Sequence, residues 1–491
     1  MIETATLHAF TLWSLVAALL QLTIVLGVTL RVMLTRHPPG SAFAWILITA
    51  VIPYAGFLLY LMFGERPLGR HRAKLYRTLH LERAFAPCHH PLLPAGPLPR
   101  SLAEHEGLLT LATTVSNFPL TTGNRIELLT ESDAVLKALQ HDIEHAKESI
   151  DMEFYICEDT GRVRQITDAL LAAVKRGVHV RLLLDDFGSR TFLSSDRAKA
   201  LLAAGVEILP AMPMRLLGLF GLQRADLRLH RKSVIIDTTL AYTGSLNLID
   251  PMAYADAPRV GAWVDAMARI EGPAVESQWR IFQTDWCLAP EMRRMIEHEC
   301  PPQEHAQPGK ASIVVVPSGP YGVHDPNLHL LLASIAAARH SLTITTPYFV
   351  PNDALMTGLE NAALRGVQVT LILPEVGNNR AVVWAGRRHF DALLDAGVKI
   401  ALYQGGLLHT KSVSIDGELA LFGTVNLDNR SLHLNFETTL LVFDESFLAA
   451  LRRLHGQYLE QSHVLDATHW QRRPFLSRIK EGLAYLISPL L

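Results

Sequence analysis

The chain begins with two long, uncharged hydrophobic runs. They extend from Phe10 to Leu30 and from Ala42 to Phe63. Each run is about 20 residues long, which is enough to cross a hydrocarbon core of roughly 30 Å. The short segment between them contains Pro38 and Pro39. This pattern predicts a hairpin of two transmembrane helices.

The second run contains Pro53 and Gly56, which a transmembrane helix tolerates. The first run could instead be an uncleaved signal sequence. No small-residue cleavage site is evident before the second run, and this favours the hairpin.

Positive charges beside the two runs predict which side of the membrane the chain occupies. The turn between the runs holds Arg31 and Arg36, and the N-terminal tail holds no Lys or Arg. Five cations follow the second run closely, namely Arg66, Arg70, Arg72, Lys74 and Arg77. This excess predicts that both termini and the bulk of the chain are cytoplasmic. The same cluster could be a solvated helix face, a contact to anionic lipid headgroups, or both.

Beyond the membrane segment, apolar and polar positions alternate between strand and helix periods. Ser101 and Glu104 form a capping-box pattern for a helix to about Val115. The pattern then predicts strands at 126–129, 150–156 and 178–184 and helices at 132–148 and 163–176. The nearly unbroken apolar run VHVRLLL is typical of a strand buried on both faces of an α/β layer.

The same order of elements occurs a second time. ARHSLTITTPYFVP matches AKESIDMEFYIC, RGVQVTLILPE matches RGVHVRLLLDD, and AGVKI matches AGVEI. The predicted fold class is therefore α/β, with two tandem mixed-sheet lobes related by a pseudo-twofold axis behind the two-helix transmembrane hairpin. The predicted domains are a hairpin at 1–68, a linker and helix at 69–120, lobes at 121–300 and 301–471, and an amphipathic segment at 472–491.

Charge and cysteine content argue against a nucleic-acid-binding protein and against a disulfide-rich or zinc-binding one. The net charge of −2 gives no electrostatic footprint of a nucleic-acid-binding protein. The four cysteines are widely spaced, without a CxxC pair, which argues against a disulfide or zinc framework and suits a reducing compartment. Cys88, His89 and His90 lie in a Pro-rich linker at 87–99 and lack a second ligand pair. No metal site is expected.

One polar motif occurs in both halves in the same register. The first copy, LHRKSVIIDTTLAYTGSLN, spans Leu229 to Asn247, and the second, LHTKSVSIDGELALFGTVN, spans Leu408 to Asn426. The motif residues are His230, Lys232, Asp237, Ser245 and Asn247 in the first copy, and His409, Lys411, Asp416, Thr424 and Asn426 in the second. The alternation around the His and Lys predicts a strand with both on one face.

These residue types suit chemistry on a phosphate. A neutral imidazole can act as nucleophile or proton carrier, and a Lys ammonium suits a non-bridging phosphate oxygen. Ser245, Asn247, Thr424 and Asn426 could add uncharged hydrogen bonds to the same oxygens. Two lysines stand where metal-dependent enzymes would use carboxylates. Asp237 and Asp416, too far along the strand to be assumed catalytic, are expected to hold the loop and lysine geometry.

HxKxxxxD followed by GSxN or GTxN, twice, resembles the phospholipase D superfamily. Within it, GSLNLID with VGAWVDAMARIEGP, and GTVNLDNRSLHLNFE, resemble bacterial cardiolipin synthases over nearly the whole chain. The resemblance implies one site in which both histidines and both lysines surround one phosphorus, without a cofactor. It implies phosphatidylglycerol and other anionic phospholipids as partners, no nucleic acid, and the bacterial inner membrane as location, with catalytic lobes in the cytoplasm.

The resemblance also implies roles for single residues. His230 is expected to attack phosphorus and form a phosphohistidine, and His409 to act as acid and base. An acidic residue after each Asn is expected to orient a histidine: Asp265 for the first copy and Glu437 for the second. The implied reaction transfers a phosphatidyl group from one phosphatidylglycerol to another, releasing glycerol and forming cardiolipin.

The motif itself does not select the acceptor. Water as acceptor would make the protein a hydrolase of phospholipid or, against its charge and membrane segment, a nuclease. A non-enzymatic scaffold is disfavoured by two intact His-Lys pairs. Two further segments have open interpretations: 214–227 could be interfacial, a buried helix or a loop over the site, and 472–491 could lie on the membrane or pack on its own domain.

Overall fold

The computed structural model describes residues 2–35, 39–64, 93, 98–213, 226–254, 260–289, 306–320, 325–486 and 488. The basic cluster after the second apolar run, nearly all of the linker at 87–99, residues 300–305 of the second linker, and 214–225 lie outside the described residues. The chain divides into two compact units, one of Met1–Lys74 with Met214–Leu227 and one of Leu75–Pro213 with Arg228–Leu491.

The first unit contains helices α1 (Ile2–Leu34), α2 (Pro39–Val51) and α3 (Ala55–Leu59), followed by a π-helical turn at Tyr60–Gly64. Among the described residues, one helix, over Leu12–Leu34, is long and apolar enough to cross a membrane, with a mean hydropathy of 2.1. Helices α1 and α2 pack on each other, and the Gln21 side chain donates a hydrogen bond of 2.7 Å to the carbonyl of Thr49.

The second apolar run departs from the predicted continuous helix. It is interrupted between Val51 and Ala55, where Tyr54 has a φ of 60°. Pro53 explains the break, because it has no N–H to donate and its ring clashes with a carbonyl one turn earlier. Gly56 packs closely against the end of α2, since a Cβ there would lie 2.4 Å from the Ile48 carbonyl oxygen.

The second unit is built from alternating strands and helices. Its first lobe contains helices α4 (Arg100–Ala103), α5 (Glu106–Ser116), α6 (Ser132–His145), α7 (Gly161–Lys175), α8 (Arg190–Leu193), α9 (Asp196–Ala204) and α10 (Ala274–Leu288). Its strands are β1 (Thr121–Leu129), β2 (Ser149–Phe154), β3 (His179–Asp185), β4 (Glu207–Ala211), β5 (Ser233–Ile236), β6 (Leu240–Gly244), β7 (Trp263–Val264) and β8 (Met267–Glu271).

The second lobe repeats this pattern. Its helices are α11 (Pro326–Ala337), α12 (Asp353–Leu364), α13 (Arg380–Arg387), α14 (Phe390–Asp395), α15 (Asn429–His433), α16 (Glu445–Glu460), α17 (Ala467–Gln471) and α18 (Phe475–Leu486). Its strands are β9 (Ala311–Ser318), β10 (Ser341–Thr345), β11 (Phe349–Val350), β12 (Gln368–Pro374), β13 (Lys399–Tyr403), β14 (Leu407–Leu408), β15 (Ser412–Ile415), β16 (Leu419–Gly423), β17 (Leu427–Asp428), β18 (Glu437–Phe443) and β19 (Ser462–Val464).

The main strands of both lobes form one sheet of 15 strands among the described residues, in the order β19-β13-β12-β10-β15-β16-β18-β9-β1-β8-β6-β5-β2-β3-β4. The two lobes meet where β1 and β9 pair antiparallel. The strands follow the same order outward from that pair on both sides, so β18 in the second lobe corresponds to β8 in the first, β15 to β5 and β10 to β2. The α/β prediction is confirmed, and the mirrored order has the pseudo-twofold character that the repeat implied.

Local sequence explains many of the helix starts. The side chains of Ser195, Asn352 and Asp444 each accept a hydrogen bond from a backbone N–H three residues ahead, which satisfies a donor that the helix itself leaves free. The capping box predicted at Ser101 is wrong. Helix α4 starts at Arg100, one residue before Ser101, without a side-chain cap, and it ends at Ala103. The next helix, α5, begins at Glu106.

Candidate active site

The two His-x-Lys motifs lie at the carboxyl ends of the parallel strands. In the first lobe β5 runs antiparallel to β2, with Ser233 opposite Glu153, so the residues just before β5 lie beyond the end of β2. His230 and Lys232 therefore precede the strand, whereas the sequence predicted them within it. The second copy is alike, since β15 begins at Ser412, after Lys411.

These segments are not paired within their own sheet because each pairs with the opposite lobe. Leu229 forms a parallel bridge to Phe436, and the His230 N–H donates to the Phe436 carbonyl at 2.9 Å. In the second copy β14 pairs in parallel with β7, and the His409 N–H donates to the Val264 carbonyl at 2.8 Å. Each His-x-Lys segment is thus held by backbone bonds across the junction of the lobes.

The histidine partners also cross between lobes. His230 Nδ1 lies 2.9 Å from Glu437 Oε2, and His409 Nδ1 lies 2.7 Å from Asp265 Oδ1. The sequence interpretation named both acids but assigned each to the histidine of its own copy, and this assignment is wrong. A carboxylate can only accept, so each Nδ1 carries the proton and each Nε2 has its lone pair available.

Both lysines belong to one buried site. Lys232 Nζ donates to the His230 carbonyl at 2.7 Å, and Lys411 Nζ donates to the His409 carbonyl at 2.6 Å. Lys232 and Lys411 are fully or almost fully buried. The charge of each lysine acts on the histidine of the other lobe, so the four groups share one electrostatic environment.

Burial sets the protonation of the histidines. Removal from water lowers the pKa of His230 to about 4, although the charge of Glu437 opposes this, and burial lowers the pKa of His409 to about 4 as well. Burial acts to raise the pKa of Asp265 and Glu437, but the facing histidine and lysine charges outweigh it and hold the pKa of both carboxyls below its usual value. Without substrate, both imidazoles are neutral near pH 7.

Burial also weakens the lysine charges. It lowers the pKa of Lys232 to about 8 and the pKa of Lys411 well below its ordinary value, with the nearby carboxylates opposing the shift. An anion entering the site would stabilise the ammonium forms, because an opposite charge favours the protonated lysine. The site therefore has a strong electrostatic preference for an anionic ligand.

The Ser, Thr and Asn residues of the motifs have structural partners. Ser245 Oγ accepts from the Ala266 N–H at 3.0 Å, and Thr424 Oγ1 donates to Glu437 Oε2 at 2.5 Å. Asn247 Oδ1 accepts from the Ile156 N–H at 3.2 Å. Asn426 Oδ1 is buried and has no partner in the part of the chain that the structure describes. Three of the four thus support the strands and acids around the histidines.

Asp237 and Asp416 lie in the turns that follow β5 and β15, at the ends of these strands remote from the histidines. The Asp237 carboxylate accepts from the backbone N–H groups of Lys147, Glu148 and Ser149, at 2.7 to 2.9 Å. Asp416 accepts from Arg339, His340 and Ser341 in the same way, at 2.7 to 2.8 Å. Both have a left-handed φ, of 50° and 53°. The carboxylates fix the entry into β2 and β10 rather than the lysines.

Two aromatic side chains that the sequence interpretation did not select lie against the histidines. The ring centre of Tyr155 is 5.2 Å from that of His230, and the ring centre of Trp263 is 4.6 Å from that of His409. The sequence signal for the first was partial, because Tyr348 lies one residue after Pro347, the position that matches Tyr155 when the two copies are aligned without a gap. Asp185, at the end of β3, was also missed; it accepts from the Leu229 N–H at 2.9 Å and so supports the His230 segment.

Arg231 ties the first motif to both lobes. Its side chain is completely buried, pairs with Asp285 on α10, and donates to the carbonyls of Glu437 at 3.1 Å and Ser318 at 3.0 Å. Its counterpart in the second motif is the uncharged Thr410, which also joins the lobes but without an ion pair: its Oγ1 donates to the Val264 carbonyl at 3.3 Å and lies 2.9 Å from the Tyr458 hydroxyl.

Replacing Arg231 with Met should lower the free energy of unfolding by roughly 3–5 kcal/mol, because Asp285 would remain buried without its counter-charge. Chemical denaturation followed by circular dichroism would measure this. Arg125 pairs with Glu271 on the surface, and Arg125→Met should cost about 1 kcal/mol or less. Equal losses in the two variants would refute a stabilising link at Arg231.

Comparison with known proteins adds a family relationship. The profile of the family described as "Cardiolipin synthase, PLD-like domain" matches residues 139–286 and 331–457, and that described as "Phospholipase_D-nuclease N-terminal" matches residues 11–65. Cardiolipin synthase A of Cronobacter sakazakii is 41% identical over 477 residues, covering 95% of this chain and 96% of the relative. Cardiolipin synthase A of Yersinia pseudotuberculosis is 40% identical over 500 residues, covering 99% and 98%.

A solved structure is similar in fold. The crystal structure of a phosphatidylserine synthase from Haemophilus influenzae superposes with a TM-score of 0.59, covering 78% of this chain and all of that one, at 15% sequence identity. At this identity the likeness concerns the arrangement of the two α/β lobes alone.

Proposed function

The chain belongs to the cardiolipin synthase family of phospholipase D-like proteins, and on that premise we propose that it transfers a phosphatidyl group between two phosphatidylglycerol molecules. The products are cardiolipin and glycerol. The observation that carries the proposal is the pair of buried His-carboxylate dyads that share one site with two lysines. This set of groups provides a nucleophile, a proton carrier and two cations without requiring a metal.

The first half-reaction follows from the dyad geometry. The lone pair of His230 Nε2 forms a bond to phosphorus, and the bond from phosphorus to the glycerol oxygen breaks. His409, protonated at Nε2 once the anionic substrate is bound, gives that proton to the departing oxygen. Lys232 and Lys411 stabilise the charge on the non-bridging oxygens. The result is a phosphohistidine and free glycerol.

The second half-reaction reverses these roles. His409 takes the proton of the terminal hydroxyl of a second phosphatidylglycerol, and the oxygen forms a bond to phosphorus as the bond to His230 breaks. Glu437 and Asp265 hold the two imidazoles in the required tautomer and stabilise the imidazolium when it forms. A covalent intermediate allows the first glycerol to leave before the second lipid enters.

The membrane arrangement belongs to the same proposal. Both apolar runs would reside in the bacterial inner membrane, with the α/β lobes in the cytoplasm. The apolar helix over Leu12–Leu34, the packing of α2 on α1 and the cations after the second run support this arrangement.

A product assay tests the proposed reaction. The purified full-length protein, supplied with phosphatidylglycerol alone and no added metal, should release cardiolipin and glycerol in equal amounts. Phosphatidic acid without cardiolipin would mean that water is the acceptor and that the protein is a hydrolase. No product of either kind would refute both forms of the chemistry.

The buried charges predict a bell-shaped dependence of kcat/KM on pH. Activity should fall as acid protonates the His230 nucleophile, and it should fall again at higher pH as His409 loses the proton that it gives to the departing oxygen and, from about pH 8 or below, as the lysines lose their charge. In the Lys232→Arg/Lys411→Arg variant the part of the alkaline fall that the lysines cause should be absent, because arginine stays charged, and the part that His409 causes should remain. A rate that is flat between about pH 5 and 9 would contradict the assignment.

A further inference from the structure

Helix α18, at the C-terminal end of the second lobe, has an apolar side that the described part of the chain leaves exposed. Phe475, Leu476, Ile479, Leu483 and Leu486 have exposed fractions of 75%, 69%, 41%, 60% and 75%. At 100° per residue these five side chains lie within about 100° of one another around the helix axis. They form a continuous outward stripe, here called the α18 stripe.

The opposite side of the helix fixes this orientation. Ala484 is buried in a small cluster with Val350, Val382 and Ala385. The Arg473 guanidinium binds Asp391 at 2.7 and 2.8 Å and Glu481 at 2.9 Å, and Glu481 is buried. Turning the α18 stripe inward would break these ion pairs, so the helix cannot bury it by rolling in place.

The charge around the α18 stripe is strongly positive. Arg478 and Lys480 lie on its two edges, by the same helical geometry. Together, residues 472–486 and the neighbouring 380–391 contain seven Lys and Arg and two acidic residues, Asp391 and Glu481, both of which pair with Arg473. The chain as a whole has 45 basic and 47 acidic residues, so this region is a local exception. Its charge is complementary to an anionic surface.

The α18 stripe is also close to the active site in the fold. Val350, which packs with Ala484, belongs to β11, and β11 pairs with β17 at Leu427–Asp428, directly after Asn426. Tyr348, two residues before Val350, packs on the same cluster. Strand β11 therefore lies between the helix and β17, the short strand that directly follows the second motif.

We propose that α18 docks flat on an anionic bilayer, with the α18 stripe in the acyl boundary and Arg478 and Lys480 at the phosphates. An apolar stripe with cations on its edges is suited to the membrane interface, where apolar burial and headgroup attraction act together. The docked helix would hold the second-lobe side of the site against the lipid from which substrate comes. This consequence for activity rests on the function proposed above, whereas the docking itself does not.

A direct test measures the depth of one side chain. Bimane on Leu483→Cys, in the full-length protein with its four native cysteines replaced by alanine, would be compared with bimane on Leu364→Cys of α12, which is 72% exposed. In vesicles containing phosphatidylglycerol, shallow doxyl-labelled lipids should quench position 483 about threefold or more and position 364 little. Equal quenching at the two positions would overturn the docking.

Activity provides a second, separable test. Leu476→Glu/Leu483→Glu should lower the transfer rate with bilayer phosphatidylglycerol about fivefold or more and leave the rate with short-chain, monomeric phosphatidylglycerol within about twofold. Leu202→Glu/Leu364→Glu, at exposed positions elsewhere, is the matched control. Equal loss with both substrates would indicate a structural role and refute the proposal. If the unmodified protein is a dimer and Leu476→Glu/Leu483→Glu dissociates it, the α18 stripe is a self-association surface, and the proposal is refuted. Absence of transfer by the unmodified protein would refute the proposed function and leave the quenching result unaffected.

Discussion

Replacing His230 with alanine should reduce phosphatidyl transfer by at least about 10³-fold, because His230 Nε2 makes the only covalent bond between the protein and phosphorus in the proposed intermediate. The reaction has two steps that both pass through this atom. Lys232, Lys411 and the rest of the site would remain able to bind substrate, so KM should change far less than kcat. Steady-state kinetics on phosphatidylglycerol vesicles would separate the two.

The complementary variant identifies the nucleophile. His409→Ala removes the acid and base but leaves His230 able to attack, so a slow first step followed by a slower second one should let the phosphohistidine accumulate. After reaction with phosphatidylglycerol labelled in its phosphate, rapid acid-free denaturation and peptide mapping should find label on His230. Label found elsewhere, or none on His230, would overturn the assignment.

A matched control for these changes is available outside the site. His105 lies 3.1 Å from Glu418 and is almost fully buried, so it repeats the histidine-carboxylate pairing without the neighbouring lysines. His105→Ala should leave kcat within about twofold while lowering stability modestly. A comparable loss of activity in this variant would mean that the effects at His230 arise from disturbed folding.

Replacing either crossed carboxylate should have the next largest effect. Glu437→Gln should lower kcat by about 10²- to 10⁴-fold, because an amide can present its N–H to Nδ1 and favour the wrong tautomer, and because the imidazolium loses its counter-charge. Asp265→Asn should act likewise on His409. Thr424, which donates to Glu437, would keep its place in both variants.

The pairing itself can be tested by combining substitutions. If Glu437 serves His230, then His230→Ala and His230→Ala/Glu437→Gln should have similar residual rates, whereas His409→Ala/Glu437→Gln should be worse than either single variant. The pairing within each copy would give the reverse pattern. Glu418→Gln, at the exposed carboxylate that faces His105, provides the control for loss of a histidine's carboxylate partner away from the site.

Much of this architecture was predictable from the sequence because it depends on local periodicity. The strands that became β2 and β3 and the helices α6 and α7 lie within a few residues of their predicted positions, since alternation and buried runs report directly on them. The repeated motif located both histidines. Even the two orienting acids could be named, because the resemblance implies an acidic residue after each Asn, although Asp265 follows Asn247 by 18 residues and Glu437 follows Asn426 by 11.

Contacts between distant residues could not be predicted in the same way. The bond between His230 and Glu437 spans 207 residues and that between His409 and Asp265 spans 144. The spacing of apolar residues along the chain does not indicate which of two similar lobes supplies a given side chain. The break at Pro53 and the absent cap at Ser101 were missed for a different reason. A transmembrane helix can either tolerate a proline or end near it, and α4 starts at Arg100, one residue before the predicted cap.

The crossed dyads also bear on biosynthesis. As the chain leaves the ribosome, His230 emerges long before Glu437, and the earlier half can fold around its own strands while its histidine still lacks a carboxylate. The His230–Glu437 pair is therefore complete only when β18, the last long strand of the second half, has formed. A translation product that ends before β18 would carry an intact first motif but lack the carboxylate that faces His230, so under the proposed function it should transfer little phosphatidyl to the surrounding lipids.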